Sequence, residues 1–274
     1  MIGQKTTSNI WKTLVYAATI LTFGVLIFLV AYILINGIPY LKPSLFSLTY
    51  TSENVSLVPA AVNTLIMTVL SLAIAIPFGL FTAIYLVEYA KRGNKFVELI
   101  RLTAETLSGI PSIVYGLFGL LFFVTYLGWG YSIIAGAATL SIMILPLIMR
   151  TTEEALKSVP DTYREASFGL GAGHLRTIFR IVLPAAVPGI LAGVILAVGR
   201  IVGETAALIY TAGTVAKMPE SIMSSGRTLA IHMYTLSSEG LHTNEAYATA
   251  VILLLLVLGI NTISAMIAKK VTKI

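Results

Sequence analysis

The 274-residue sequence contains no cysteine, which excludes disulfides and thiolate metal sites. Charge is scarce as well. Only 11% of residues are Asp, Glu, Lys or Arg, against about 25% in an average soluble domain. So few charges cannot cover a water-exposed surface, which rules out soluble enzymes and disordered chains. No G-x-x-x-x-G-K occurs, so nucleotide binding by a P-loop is excluded. Gly169, Gly171 and Gly173 approach a dinucleotide fingerprint, but His174 stands where another glycine is needed and no strand precedes. The three histidines, His174, His232 and His242, lack ligand spacing, and no nucleophile elbow is present. Neither a catalytic residue nor a metal site is expected.

What the sequence has is apolar length. Hydrophobic residues make up 57% of it, and a membrane helix needs about 20 mostly apolar residues. Residues 13–41 carry no charge, nor do 54–87. Residues 106–149 are also uncharged and long enough for two spans, with a break at Gly128-Trp129-Gly130. A fifth run follows Arg180 to about residue 213, interrupted by Arg200 and Glu204, and a sixth covers 247–268. These runs are too continuous for barrel strands, and the first is too long for a signal peptide. The expected fold class is an all-α membrane protein with six transmembrane helices.

The 18 Lys and Arg residues are unevenly placed. With six spans, both termini, the stretch after the second span and the stretch between the fourth and fifth share one side. That side holds Lys5, Lys12, Lys91, Arg92, Lys95, Arg101, Arg150, Lys157, Arg164, Arg176, Arg180, Lys269, Lys270 and Lys273. The other side holds Lys42, Lys217 and Arg227. The positive-inside rule then puts both termini in the cytoplasm. The net charge of +6 reflects topology and anionic membrane lipid rather than nucleic acid.

Breakers mark the irregular places. Pro77 and Gly79 predict a kink in the second span. Residues 90–105 read as an interfacial helix. Ser108-Gly109-Ile110-Pro111-Ser112 at the mouth of the third span is either an entry turn or the wall of a polar pathway, with Ser108, Pro111 and Ser112 as candidates. The fourth span ends at Pro146 and Arg150. Between residues 151 and 184 the pattern predicts two short helices joined by a tight turn. Pro160 and a Thr162-to-Glu165 capping box open the first, and Pro184 stops the second. Residues 228–236 suit a short helix on the outer membrane surface.

Arg200 and Glu204 are the charges inside a span. A charge at the bilayer centre costs about 2.5–3.5 kcal/mol on insertion scales. Four residues apart on one helix, they are positioned to neutralise each other. One reading is a structural ion pair; the other is a translocation-path contact in which Arg200 meets an oxyanion and Glu204 restrains the guanidinium, and the two can both hold in different conformations.

The stretch between the fourth and fifth spans is specific. Glu165-Ala166-Ser167 is followed after three residues by Gly171, then after nine by Ile181, one residue, and Leu183-Pro184. This resembles the EAA loop of ABC-importer permeases, with Ser167 replacing the second Ala. Gly109-Ile110-Pro111-Ser112-Ile113-Val114-Tyr115-Gly116 and Gly199-Arg200-Ile201-Val202-Gly203-Glu204-Thr205-Ala206-Ala207-Leu208 are similar to the phosphate-specific transport permeases. With Leu145-Pro146 and Arg150-Thr151-Thr152-Glu153-Glu154, the likeness is to the PstA type more than the PstC type.

The resemblance covers about residues 60–268 and implies the following. Residues 1–60 hold an N-terminal helix and outer loop, and residues 61–274 a type I permease core of five spans. A coupling hairpin at 151–184 docks on ATPase subunits. The partners are a second permease of PstC type, two ATPases of PstB type and an external phosphate-binding protein of PstS type. ATP and magnesium bind in the ATPases, and this chain holds no cofactor. Phosphate crosses the plasma membrane of a prokaryote between the two permeases. The alternatives are a molybdate or sulfate permease, or a secondary transporter using Arg200 and Glu204. The latter has no need of an ATPase-docking loop and usually shows an internal repeat, which is not evident here.

Overall fold

A computed structural model of the chain describes residues 3–91 and 93–272. Of the basic residues counted above, Arg92 and Lys273, and the side chains of Lys5, Lys269 and Lys270, lie outside the described residues.

Helix α1 spans Gln4–Gly37. None of its most apolar window is buried within the described part of the chain. It leans on the last helix, where Gly37 lies so close to Tyr247 that a Cβ would fall 2.5 Å from the Tyr247 carbonyl oxygen. Pro39 and Pro43 then open two short 3₁₀ turns, Ile38–Tyr40 and Pro43–Phe46. Helix α2, Val58–Ile84, begins with Pro59 in its first turn, where a missing N–H costs nothing. It runs on through Pro77 as one helix. Gly79 serves packing there, since a Cβ would sit 2.8 Å from Ile148 Cγ2. The turn widens later, in a π-helical segment at Tyr85–Tyr89.

Helix α3, Lys95–Ser108, is amphipathic, and the Asn94 side chain caps it by accepting from Phe96 N. Helix α4 follows at Ser112–Gly119 and continues as a π segment, Leu120–Tyr126. The chain bends by 101° between α3 and α4. Among the described residues five helices are long and apolar enough to cross a membrane, and the count is six when the bent pair is taken as one span.

Helix α5, Ile133–Lys157, is the central element, with two thirds of its apolar window buried. Contrary to expectation it does not end near Pro146 and Arg150. Pro146 is buried inside it, and packing from both sides holds the helix through the lost hydrogen bond. Helix α6, Asp161–Gly169, and the single turn α7, His174–Thr177, form the expected hairpin. Two details differ from the sequence reading. Pro160 is the N-cap residue and no side chain caps α6, because Thr162 already lies inside the helix and cannot reach back as a cap. Nor does Pro184 stop the second arm. A π segment, Ile178–Val182, joins α7 to α8, Leu183–Val202, and Pro184 falls in the first turn after that register shift, where it is tolerated.

Helix α9 is a short turn, Ala206–Ile209. Helix α10, Leu229–Glu239, starts at the Thr228 cap and ends at Gly240 with φ 72°. It does not lie on the surface: Leu229, Ala230, Ile231, His232 and Leu236 are buried, and Leu229 N donates to Thr64 Oγ1 of α2. Helix α11 closes the chain at Thr243–Thr272.

Small and polar residues bring α2, α5 and α8 together, as expected where apolar burial gives little drive in lipid. Ser71 Oγ donates to the Ala137 carbonyl, and Ser141 Oγ donates to the Ser71 carbonyl, so α2 and α5 are cross-bonded. Gly193 of α8 admits the Thr151 hydroxyl to van der Waals contact, and Gly189 admits Ala155. The apolar core runs through Met67, Leu140, Ile144, Ile148, Ile201 and Leu208.

Candidate functional site: a broken span and a hairpin

The fifth apolar run is interrupted. Helix α8 stops at Val202, Thr205 adopts φ −125°, ψ −53°, and α9 begins at Ala206. Irregular backbone at membrane depth persists only where protein or a water-filled path satisfies it. The break supplies part of that itself: the Glu204 carboxylate, only 8% exposed, accepts from Ala207 N at 3.0 Å. Glu204 therefore caps the free N–H end of α9.

The ion pair, one of the two readings of these residues, is not formed in this structure. No contact within 4.0 Å joins Arg200 to Glu204 among the described residues. The reason is geometric: an i, i+4 pair needs a continuous helix, and α8 ends between the two. Arg200, half-buried in the last turn of α8, has no ion-pair partner among the described residues.

Tyr115 of α4 lies beside the 108–112 segment. Its hydroxyl donates to the Leu107 carbonyl at 2.8 Å, tying α4 back onto the end of α3 across the bend. Pro111 is the N-cap residue of α4 and Ser112 its first residue. Ser108 Oγ donates to the Ala104 carbonyl of its own helix. Gly116 and Gly119 let α4 approach α9 and α5; a Cβ on Gly116 would lie 2.8 Å from Ala207 Cα. The structure thus brings the α8–α9 break and the 108–112 bend together around α4, with Arg200 in the last helical turn before the break, although they are distant in sequence.

At the other predicted site, Glu165 and Ala166 are exposed on α6. Ser167 is buried, and its hydroxyl meets that of Thr177 at 2.8 Å. The departure from a second alanine therefore closes the hairpin with a hydrogen bond. Gly171 has φ 82° with open space around its α-carbon. That backbone conformation favours glycine, and the bare turn allows close approach from outside. Leu170 is 90% exposed at the tip, near exposed Phe168 and Leu175. Ile181 and Pro184 are exposed where the second arm runs into α8, and Leu183 is half-buried.

Several charged contacts were not readable from sequence. Glu153 is buried and binds Lys157 at 2.6 Å and Arg101 of α3 at 2.7 Å, while Arg150 reaches Glu105 at 3.4 Å. The 150–154 motif thus fastens α3 to α5. Arg164 and Glu88 form a second, more buried pair at 2.7 Å. At the opposite end, Arg227 is buried with its guanidinium 4.6 Å from the centre of the Tyr50 ring. Burial, and after it the charge of Arg227, lower the pKa of the neighbouring His232 to about 3, with the Val55 backbone opposing the shift. Apart from Lys157, which stands one helical turn from Glu153, these ion-pair partners lie 45 to 76 positions apart, so no local pattern announces them.

Residues 75–273 match the family described as binding-protein-dependent transport system inner membrane component. The chain belongs to that family, and is an inner membrane component of such a transport system. It is 36% identical to a probable ABC transporter permease protein, YqgI, of Bacillus subtilis over 91% of this chain and 92% of the relative. It is also 36% identical to the phosphate transport system permease protein PstA 1 of Mycobacterium tuberculosis, over 76% of this chain and 69% of that protein. Among solved structures, a bacterial ABC transporter that imports alginate superposes with a TM-score of 0.70 at 17% identity, covering 96% of this chain and 99% of the other. The MetNI methionine ABC transporter gives 0.64 at 22% identity, over 79% and 96%. At such identities these two establish the fold: a type I ABC-importer permease.

Proposed function

We propose that this chain is the permease subunit of an ATP-driven importer of inorganic phosphate. The observation that carries the reading is Arg200, a guanidinium without an ion-pair partner among the described residues, beside a broken helix inside the membrane bundle. A fixed, always-charged fork of donors suits a tetrahedral oxyanion, and leaving it unpaired inside a bundle is costly unless an anion or water visits it. The names of the PstA relatives support phosphate as that anion. Ser108, Pro111 and Ser112 shape the neighbouring bend of the path. Glu204 acts as the cap of α9 and keeps the break in place.

In this reading the path is shared with a second permease of PstC type. The hairpin tip, with Gly171 and Leu170, docks on two ATPases of PstB type that bind ATP and magnesium, and an external binding protein of PstS type delivers phosphate. The basic end of the bundle, with both termini, faces the cytoplasm. Co-purification from a tagged chain followed by uptake of labelled phosphate into proteoliposomes tests this. Competition by excess unlabelled phosphate but not by sulfate or molybdate is the expected result. Equal competition by sulfate or molybdate would overturn phosphate as the substrate.

A further inference from the structure

The hairpin of α6 and α7 is attached to the bundle unequally on its two arms. The second arm continues directly into α8 through the π segment. The first arm, α6, is joined to the end of α2 through one side chain. Arg164, 15% exposed, places Nη2 2.7 Å from Glu88 Oε1, and Nε lies 3.2 and 3.4 Å from the two carboxylate oxygens. Glu88 is 5% exposed and sits in the widened turn that ends the second span. The rest of the fork is used as well. Nη2 donates to the Leu156 carbonyl at 3.1 Å, and Nη1 donates to the Val159 carbonyl at 2.9 Å and to Asp161 Oδ1 at 3.2 Å. All five guanidinium N–H groups therefore have acceptors, drawn from α2, from the end of α5 and from α6 itself.

From this geometry we infer that Arg164 is a positioning residue for coupling: it locks the hairpin, the end of α2 and the end of α5 into one body, so that displacement of the hairpin moves both spans together. This rests on the reading of the hairpin as an ATPase-docking element. A planar fork with paired donors resists rotation where a single ammonium would not. Burial removes the solvent screening that makes surface ion pairs weak. The other charged cluster at this end, Arg101 with Glu153 and Lys157, binds α3 to α5 and does not touch the hairpin. Asp161 is 87% exposed, so its contact is the dispensable one.

The test uses the whole reconstituted complex. Arg164→Lys and Glu88→Gln are compared with wild type and with Asp161→Asn at equal amounts of assembled complex. Phosphate taken up per ATP hydrolysed is expected to fall about tenfold in the first two, with ATPase binding retained, and to stay unchanged in Asp161→Asn. Unchanged yield per ATP in both variants overturns the positioning role. Failure of wild-type vesicles to accumulate phosphate instead overturns the transport reading. A second measurement needs no solute and no charge-removing variant. Spin labels on cysteines at Tyr85 and Thr162 are expected to keep one distance distribution with and without ATP, because the two segments move as one. A distribution that changes on ATP binding overturns the inference.

Discussion

Glu204 offers the sharpest test of what the break in the fifth span requires. Its carboxylate is 8% exposed and accepts one backbone hydrogen bond, from Ala207 N at 3.0 Å. If its task is to cap α9, what matters is an acceptor atom, not a charge. Glu204→Gln keeps that acceptor and exchanges a charged for a neutral hydrogen bond, a difference of about 1 kcal/mol. It also relieves the desolvation of a buried carboxylate, which offsets part of the loss. Glu204→Ala leaves Ala207 N–H without a partner at membrane depth, at a cost of about 1–3 kcal/mol. The expected order of thermal stability in detergent is therefore wild type and Gln close together, with Ala clearly lower. Fluorescence-detected size exclusion after a heating series measures it directly. Gln destabilised as much as Ala would refute the capping argument, because it would mean the negative charge itself holds the fold.

Most of the architecture was legible because the membrane imposes long uncharged runs, and those survive any tertiary context. The bent third span was readable only as a breaker-rich stretch, since a 101° turn at Gly109 and Pro111 leaves the same composition as a straight entry. Pro146 and Pro184 misled for one reason. In water a proline inside a helix is a strong stop signal, whereas in a packed bundle neighbours and π turns carry the chain past it. The Arg200–Glu204 pair misled because spacing implies a shared face only while the helix lasts, and Gly203 ends it. The hairpin was the most legible site, its residues lying within one short segment. Its anchor was not, because Glu88 is 76 residues from Arg164 and only the folded chain brings them together.

Three further outcomes can be measured. Gly171→Asp puts a charged side chain on a turn with φ 82°; it is expected to cost the hairpin about 1–2 kcal/mol and to abolish ATPase co-purification while the membrane bundle still assembles. In this cysteine-free chain, cysteines at the exposed positions Ser44 and Ser221 should react with an impermeant thiol reagent in intact cells and one at Ser158 only after lysis; the reverse pattern refutes the orientation. His232, lowered to about 3 by burial and by Arg227, binds a proton more weakly folded than unfolded. Its contribution to stability should thus be constant above about pH 6.5 and decline as pH falls towards 3, and His232→Phe should flatten that decline in pH-resolved thermal melts.

Arg200 separates stability from transport. The side chain has no ion-pair partner among the described residues, so its removal leaves no partner stranded. Arg200→Gln should therefore change thermal stability by no more than about 0.5 kcal/mol, the usual range for a substitution that breaks no specific contact. A transported anion would lose a charge-assisted hydrogen bond, worth about 1.5–3 kcal/mol, or a fall in uptake of about 10- to 100-fold. Arg200→Lys should lie between, since it keeps the charge and loses the fork. Exchanging Arg200 and Glu204 is not a clean alternative. An arginine at 204 would place donors against Ala207 N–H and undo the cap of α9, so that variant should fail in stability and transport alike. The measurement is initial phosphate uptake at equal amounts of assembled complex. Near-normal uptake by Arg200→Gln would remove the anion contact, and with it the physical basis for placing the path at the break.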